Sequence, residues 1–362
     1  MNNKNLLELG VNEGYVKEAS IYNENFYLGR VSVQYKDIYK VFTEEGEVLA
    51  RVSGKLSYSS NSTFDYPVVG DWVLLDRINN KNGDAIIHNI LNRKSYFSRK
   101  VAGTRYDKQI VASNIDFVFI CMSLNNDFNI KRLERYIAVA WDSMATPIII
   151  LTKSDLCEDI NDKVKQIEEI AIGIDIVVTS SINEDGYDEI RKYIKTGVTI
   201  AFIGSSGVGK STLINKIMNK EVLKTNSISE NDKGRHTTTH RELFVIESGG
   251  VIIDTPGMRE LGLISADVDK SFSNIEELEK QCKFSDCTHK NEPKCAVREA
   301  IENGNLDPER LERYRKLKKE EAYNLLKSKR QEKHRIKSYM KSKKKNEYIF
   351  NLELLPQLFF LQ

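Results

Sequence analysis

Eight consecutive residues restrict the fold more than any others in the chain. Gly204-Ser205-Ser206-Gly207-Val208-Gly209-Lys210-Ser211 fits G-x-x-x-x-G-K-[ST] at every position. The glycines let backbone amides turn inward around an anion, Lys210 can reach terminal phosphates, and the Ser211 hydroxyl suits Mg²⁺. Such a loop works only between a buried strand and a helix whose positive N-terminal end faces the same charge. The flanks supply both: Val198 to Ile203 reads as a strand, and Thr212 to Met218 as a helix that Thr212 opens. A strand–loop–helix of this kind predicts an α/β sheet with a phosphate-binding edge.

Two further elements belong with it. Asp254-Thr255-Pro256-Gly257 follows the apolar run Val251 to Ile253, so that Asp254 is predicted to hold Mg²⁺ through water and the Gly257 amide to meet a γ-phosphate. Thr152-Lys153-Ser154-Asp155 follows the buried strand Pro147 to Leu151 and resembles the N-K-x-D element that recognises guanine. Asp155 can accept from the N1 and N2 donors of guanine, a pattern adenine does not offer. Thr152 stands where Asn is usual. Thr179-Ser180-Ser181, after the strand Ile174 to Val178, is predicted to back the base.

The order of these pieces is unusual. Guanine recognition normally comes last, yet Asp155 and Ser180 precede Lys210 and Asp254. One site can still form if the strands of the sheet are joined in a rotated order. Strand and helix segments alternate from about Asn114: a strand at Ile115 to Met122, a helix at Ile130 to Met144, another at Val164 to Ile172, and a hairpin of Leu243 to Glu247 with Val251 to Ile253. Residues 1–105 differ, with strand-like pieces at Phe26 to Gln34, Ile38 to Phe42, Val48 to Ser53, Val69 to Asp76 and Ala85 to Leu91. Five short strands in that span suit a small barrel such as the OB-fold.

The length of 362 residues allows two or three domains. No apolar stretch reaches the ~20 residues of a membrane helix, and the N-terminus lacks signal-peptide features. A cytoplasmic location without membrane contact is therefore expected. Five cysteines are too few for a disulfide scaffold. Cys121 and Cys157 read as isolated buried thiols. Cys282, Cys287, His289 and Cys295 form C-x4-C-x-H-x5-C, a closed set of ligands for a structural tetrahedral Zn²⁺. From Glu309 to Lys345 there are sixteen Lys/Arg against five Asp/Glu, in a chain of formal net charge +2. That run predicts a basic helix for a polyanionic partner, with Tyr314, Tyr323, His334 and Tyr339 placed to stack on bases.

With these residues assembled, the chain resembles the circularly permuted GTPases that act on the bacterial small ribosomal subunit during its maturation. The likeness runs through Val69-Gly70-Asp71-Trp72-Val73, GSSGVGKSTLIN, Gly234-Arg235-His236-Thr237-Thr238-Thr239, DTPGMRE and the cysteine cluster. It implies an OB-like RNA-binding barrel (1–105), a permuted P-loop GTPase domain (106–268) and a helical zinc-binding, basic domain (269–347), with an apolar tail (348–362) that has no counterpart. It implies GTP and GDP as ligands, the small (30S) subunit and its 16S rRNA as partners, and a monomer. Met258 stands where many GTPases carry the glutamine that orients water, and a thioether cannot do so. His236 is the candidate for that role, and Thr238 for a second Mg²⁺ ligand. The residues alone leave open a non-hydrolysing nucleotide sensor, an ATPase, or a factor acting on mature ribosomes.

Overall fold

The computed structural model describes residues 6–22, 25–60, 62–100, 108–183, 185–223, 241–247, 249–254, 272–316 and 318–319. His236, Thr238, Gly257, Met258, the Gly234 to Thr239 motif, most of the basic helix and the apolar tail lie outside these residues.

The first quarter of the chain closes a barrel. Strands β1 (Tyr27–Gln34), β2 (Tyr39–Thr43), β3 (Gly46–Val52), β4 (Trp72–Leu75) and β5 (Ala85–Ile90) pair in the order β1-β2-β3-β5-β4, and β4 returns onto β1. Alternate residues such as Val31, Val41, Val48, Ala50, Val73 and Ile87 fill its interior. The expected strand from Val69 is shorter because Val68 to Asp71 forms a turn. Asp71 N–H donates to Val68 O (3.1 Å), and Val68 N–H donates to the Asp71 carboxylate (2.8 Å).

The sequence reading missed a hairpin and several helices, the short α2 (Gly54–Ser59) and a helix at Tyr187–Arg191 among them. Helix α1 (Glu13–Tyr22) lays Tyr15 against Trp72, ring centroids 5.5 Å apart. A hairpin of β6 (Tyr96–Lys100) and β7 (Lys108–Ser113) leads out of the barrel, so the expected boundary at 105 falls in its connection.

The α/β layer follows: β8 (Phe117–Ser123), α3 (Ile130–Asp142), β9 (Thr146–Thr152), α4 (Ile160–Glu168), β10 (Ile176–Val178), α5 (Tyr187–Arg191), β11 (Thr199–Gly204), α6 (Lys210–Met218), β12 (Glu242–Val245) and β13 (Val251–Asp254). Its strand order is β10-β9-β8-β11-β13-β12, parallel except for β12. Both faces are covered, which explains the continuous apolar runs. Ile120 and Met122 face Leu133 and Ile137 of α3, while Phe119 and Cys121 face Leu213 and Ile214 of α6.

Barrel and layer meet at a buried junction. The β12 edge touches β1 at Val33↔Glu242. Beside it, the Arg30 guanidinium is fully buried, donating to Gly70 O (3.2 Å), Asn114 O (3.2 Å), Thr199 Oγ1 (2.9 Å) and Leu9 O. Burial pulls its pKa down to about 10. Buried Asp71 takes Arg93 on both carboxylate oxygens (2.7 and 2.6 Å) and Ser113 Oγ (2.5 Å). Gly70 is obligatory there, because an added Cβ would lie 2.2 Å from Ser113 O.

The C-terminal module comprises α7 (Ser273–Glu279), α8 (Ala296–Glu302) and a helical segment over 308–316. Phe272, Ile275, Val297, Leu311 and Tyr314 form its core, and Ala138 of α3 packs into it. Among the described residues, no helix is long and apolar enough to cross a membrane.

Candidate functional site

The phosphate loop leaves the sheet where only glycine fits. Gly204 ends β11 at φ 146°, and an added Cβ would meet Cys121 O of β8 at 2.4 Å. Gly207 and Gly209 also take positive φ, and buried Val208 anchors the loop from below. Lys210 begins α6 and folds back over the loop, donating to Gly204 O (2.8 Å) and Ser205 O (2.6 Å). Ser206, Ser211 and Thr212 follow the same loop and first helical turn. Ser205 Oγ donates to Asp127 Oδ2 (2.7 Å), a partner on the β8–α3 connection that sequence motifs gave no reason to select.

The guanine-type element sits two strands away, on the other side of β8. β9 ends at Thr152, Lys153 takes a left-handed conformation (φ 59°), and Asp155 lies in a 3₁₀ turn over Ser154–Leu156. Ser180 Oγ donates to Asp155 Oδ1 at 2.6 Å and accepts from Ile182 and Asn183 N–H at 3.2 Å each. Ser154 N–H donates to Thr179 O (3.2 Å). The two loops are thus fastened together. Thr152 Oγ1 donates to Val208 O at 2.6 Å, so the side chain that departs from the usual asparagine still ties this element to the phosphate loop. These residues gather at the carboxyl ends of parallel strands, where open α/β sheets bind ligands.

Asp254 ends β13, which runs parallel to β11 with Ala201 opposite Ile253. Ser211 in the first turn of α6 and Asp254 at the end of β13 carry oxygen donors of the kind a hard divalent cation takes.

One of the two solitary thiols departs from expectation. Cys121 is buried beneath the loop, and burial, partly opposed by the Lys210 charge, pushes its pKa up to about 12. Cys157 is only half-buried, because it follows the 3₁₀ turn beyond the end of the sheet. Its Sγ lies 3.2 Å from Asp159 Oδ1 and 3.3 Å from Lys163 Nζ.

The cysteine cluster is assembled. The ligand atoms of Cys282, Cys287, His289 and Cys295 all lie within 4.8 Å of one another. Cys282 and Cys295 Sγ are 3.9 Å apart, and His289 Nδ1 lies 3.7 and 3.4 Å from them. Tetrahedral Zn–S bonds of about 2.3 Å require S···S separations of ~3.8 Å, so the donor set fits that ion. His289 aims Nδ1 at the sulfurs because its other nitrogen, Nε2, contacts Glu279 Oε1 at 2.8 Å. Tyr314 Oη donates to Glu279 Oε2 at 2.9 Å.

This corrects one expectation. Tyr314 does not offer a face for stacking on bases; it is buried in the module core with its hydroxyl committed to Glu279. Glu279 itself was missed, since a carboxylate three residues before the first cysteine carries no signal of its own.

Comparison with known proteins adds the family. The RsgA GTPase family model matches residues 90–264, and a model described as 50S ribosome-binding GTPase matches 199–349. A relative from Lactiplantibacillus plantarum, small ribosomal subunit biogenesis GTPase RsgA 2, is 46% identical over 92% of this chain and 94% of its own length. Its counterpart from Oceanobacillus iheyensis, RsgA 1, is also 46% identical, over 88% of this chain and 92% of its own. Among solved structures, YjeQ from Thermotoga maritima aligns with a TM-score of 0.63 at 29% identity, covering 82% of this chain and 99% of that one. YloQ, described as a circularly permuted GTPase, aligns at 0.61 and 27% identity, over 83% and 96%. A rotated strand order, a phosphate loop joined to a guanine-type loop, and this likeness along nearly the whole chain agree: it belongs to the RsgA family of circularly permuted GTPases.

Proposed function

We propose that this GTPase acts as a switch in late maturation of the small ribosomal subunit, binding its 16S rRNA and hydrolysing GTP faster when bound to it. The observation that carries the reading is the joint between its two recognition loops, Thr152 Oγ1 to Val208 O at 2.6 Å, in a chain 46% identical to relatives named for small-subunit biogenesis. A single site can then read guanine and triphosphate together.

In this reading Asp155 accepts from guanine N1 and N2, Lys153 and Ser180 flank the base, and Thr152 fixes the spacing to the phosphates. Backbone amides of Gly204 to Gly209 and the first turn through Thr212 cradle the phosphates, and Lys210 leaves its carbonyl partners to bridge the β- and γ-groups. Ser211, Thr238 and Asp254 are the groups that would hold Mg²⁺, which neutralises developing charge on the phosphate oxygens. The Gly257 amide contacts the γ-phosphate, and His236 positions the attacking water that Met258 cannot. Cys282, Cys287, His289 and Cys295 would hold Zn²⁺ in a structural role.

The domains divide as 1–105 for RNA binding, 106–268 for the nucleotide, 269–347 for zinc and further RNA contact, and 348–362 as a tail of separate purpose. The protein works as a cytoplasmic monomer.

The test is phosphate release from GTP and ATP, with and without purified small subunits. GTP-selective stimulation by the subunit is expected. Tight GTP binding without stimulation would replace the catalytic switch by a passive sensor, and equal turnover of ATP would remove guanine specificity.

A further inference from the structure

Helix α3 touches both chemical centres of the molecule. At its first turn Arg132 pairs with Asp127 at 2.9 Å and also donates to the Asp127 carbonyl oxygen. The same carboxylate oxygen of Asp127 accepts from Ser205 Oγ in the phosphate loop. Two residues further along, Glu134 is buried (3% exposed) and meets Arg313 Nε at 2.6 Å and Arg310 Nη1 at 3.6 Å, both on the segment 308–316. The helix body is keyed into two cores, Leu133 and Ile137 into that of the sheet and Ala138 into that of the C-terminal module. A close-packed interior transmits displacement, so neither contact of α3 can shift alone.

The two contacts are unequal. Asp127 is 43% exposed on its side chain, where an ion pair holds geometry more than it adds stability. Glu134 is enclosed, and removing either partner would leave an uncompensated buried charge. Glu134 is therefore a stiff anchor and Asp127 an adjustable contact. A carboxylate beside an anion-binding loop is unfavourable when phosphates arrive, unless a cation compensates it. Arg132 is that cation, so an occupied loop places a stronger demand on the Asp127–Arg132 contact than an empty one.

We propose that Asp127 is a positioning residue for the phosphate loop, and that α3 couples nucleotide binding there to the seating of the C-terminal module. The inference rests on the reading of the loop as the nucleotide site. Coupling is reciprocal: whatever nucleotide does to the module, loosening the module does to nucleotide affinity by the same factor.

The experiment uses the full-length, metal-loaded protein, with GDP affinity from a fluorescent analogue and amide hydrogen exchange across residues 272–316 with and without GDP. In the parent, GDP slows exchange in the module. Asp127→Ala weakens GDP about 5- to 10-fold, the scale of one ordinary net hydrogen bond, and removes most of the GDP-dependent protection. Asp127→Glu restores part of both. From the module side, Glu134→Gln weakens GDP several-fold although its partners are Arg310 and Arg313 rather than the loop; should it fail to fold, Arg313→Lys keeps the charge while losing the planar fork and reads the same effect. A parent that takes up no GDP brings down the nucleotide reading and this inference with it. A parent that binds GDP without change at 272–316, or an unchanged response in Asp127→Ala, brings down the coupling alone.

Discussion

The hydrogen-bonded chain behind His289 gives a graded prediction for metal affinity. Glu279 receives His289 Nε2 on one oxygen (2.8 Å) and Tyr314 Oη on the other (2.9 Å), while His289 and Tyr314 are both buried. The carboxylate fixes the ring so that Nδ1 faces the sulfurs and makes that nitrogen a better donor. Tyr314→Phe removes one hydrogen bond to the outer oxygen, about 1 kcal/mol or ~5-fold. Glu279→Gln keeps an acceptor but loses the charge; since charge-assisted bonds are roughly twice as strong as neutral ones, the loss is about 1–1.5 kcal/mol, or 5- to 15-fold. Glu279→Ala removes orientation and charge together and belongs at the upper end of the ~10- to 100-fold range for groups supporting metal ligands. Zinc dissociation constants from competition with a chromophoric chelator check the series, with far-ultraviolet circular dichroism of the metal-loaded variants as the control for folding. An Ala variant that folds and binds zinc as tightly as the parent would refute the argument, as would Gln weaker than Ala.

Four other outcomes follow from the same contacts. Lys210→Ala should reduce GTP turnover to the uncatalysed background in a phosphate-release assay while leaving the thermal transition in place. Asp155→Asn, which turns one acceptor into a donor, should weaken GDP by about 100-fold or more and favour xanthine nucleotides, as measured by competitive titration. Thr152→Val keeps the shape and loses the bond to Val208 O; a fall in GDP affinity of ~5-fold is expected by calorimetry. Alkylation at neutral pH, mapped by mass spectrometry, should mark Cys157 and spare buried Cys121, whose pKa burial pushes up to about 12. Chelation should then expose Cys282, Cys287 and Cys295 to the reagent.

What the sequence made legible was chemistry that depends on neighbours along the chain. The turn at Gly204 to Ser211, the carboxylate of Asp155 and the C-x4-C-x-H-x5-C spacing all carry their meaning within a stretch no longer than Cys282 to Cys295. The strand periods of the barrel and the α/β layer were readable for the same reason. What stayed hidden depends on partners far apart in sequence. Asp127 acquires a role only when β8 lies beside β11, 78 residues away in the contact to Ser205. Tyr314 reads as a surface aromatic in a charged helix until the fold brings Glu279 beneath it, 35 positions earlier. Helix α1 was missed because its sequence is weakly amphipathic and Tyr15 is held by Trp72 and by Asn114 Oδ1 at 3.0 Å. Cys157 seemed buried because an apolar run precedes it, but that run is β9 and the chain has left the sheet by then.

The rotated strand order also bears on how the molecule comes into being. β8, β9 and β10 are contiguous in the sheet and in the chain, as are β11, β13 and β12, so the layer consists of two successive halves that meet along the β8–β11 seam. During synthesis at roughly 5–20 residues per second, the half carrying Asp155 and Ser180 emerges seconds before the half carrying Lys210. Until β11 arrives, the inner edge of β8 offers unpaired backbone groups to any passing strand. Gly204 closes that interval: lacking a Cβ, it allows the last residue of β11 to press against Cys121 O and complete the seam. A side chain at this position would therefore harm the nascent chain, prolonging an aggregation-prone half-sheet, before it could affect any finished molecule.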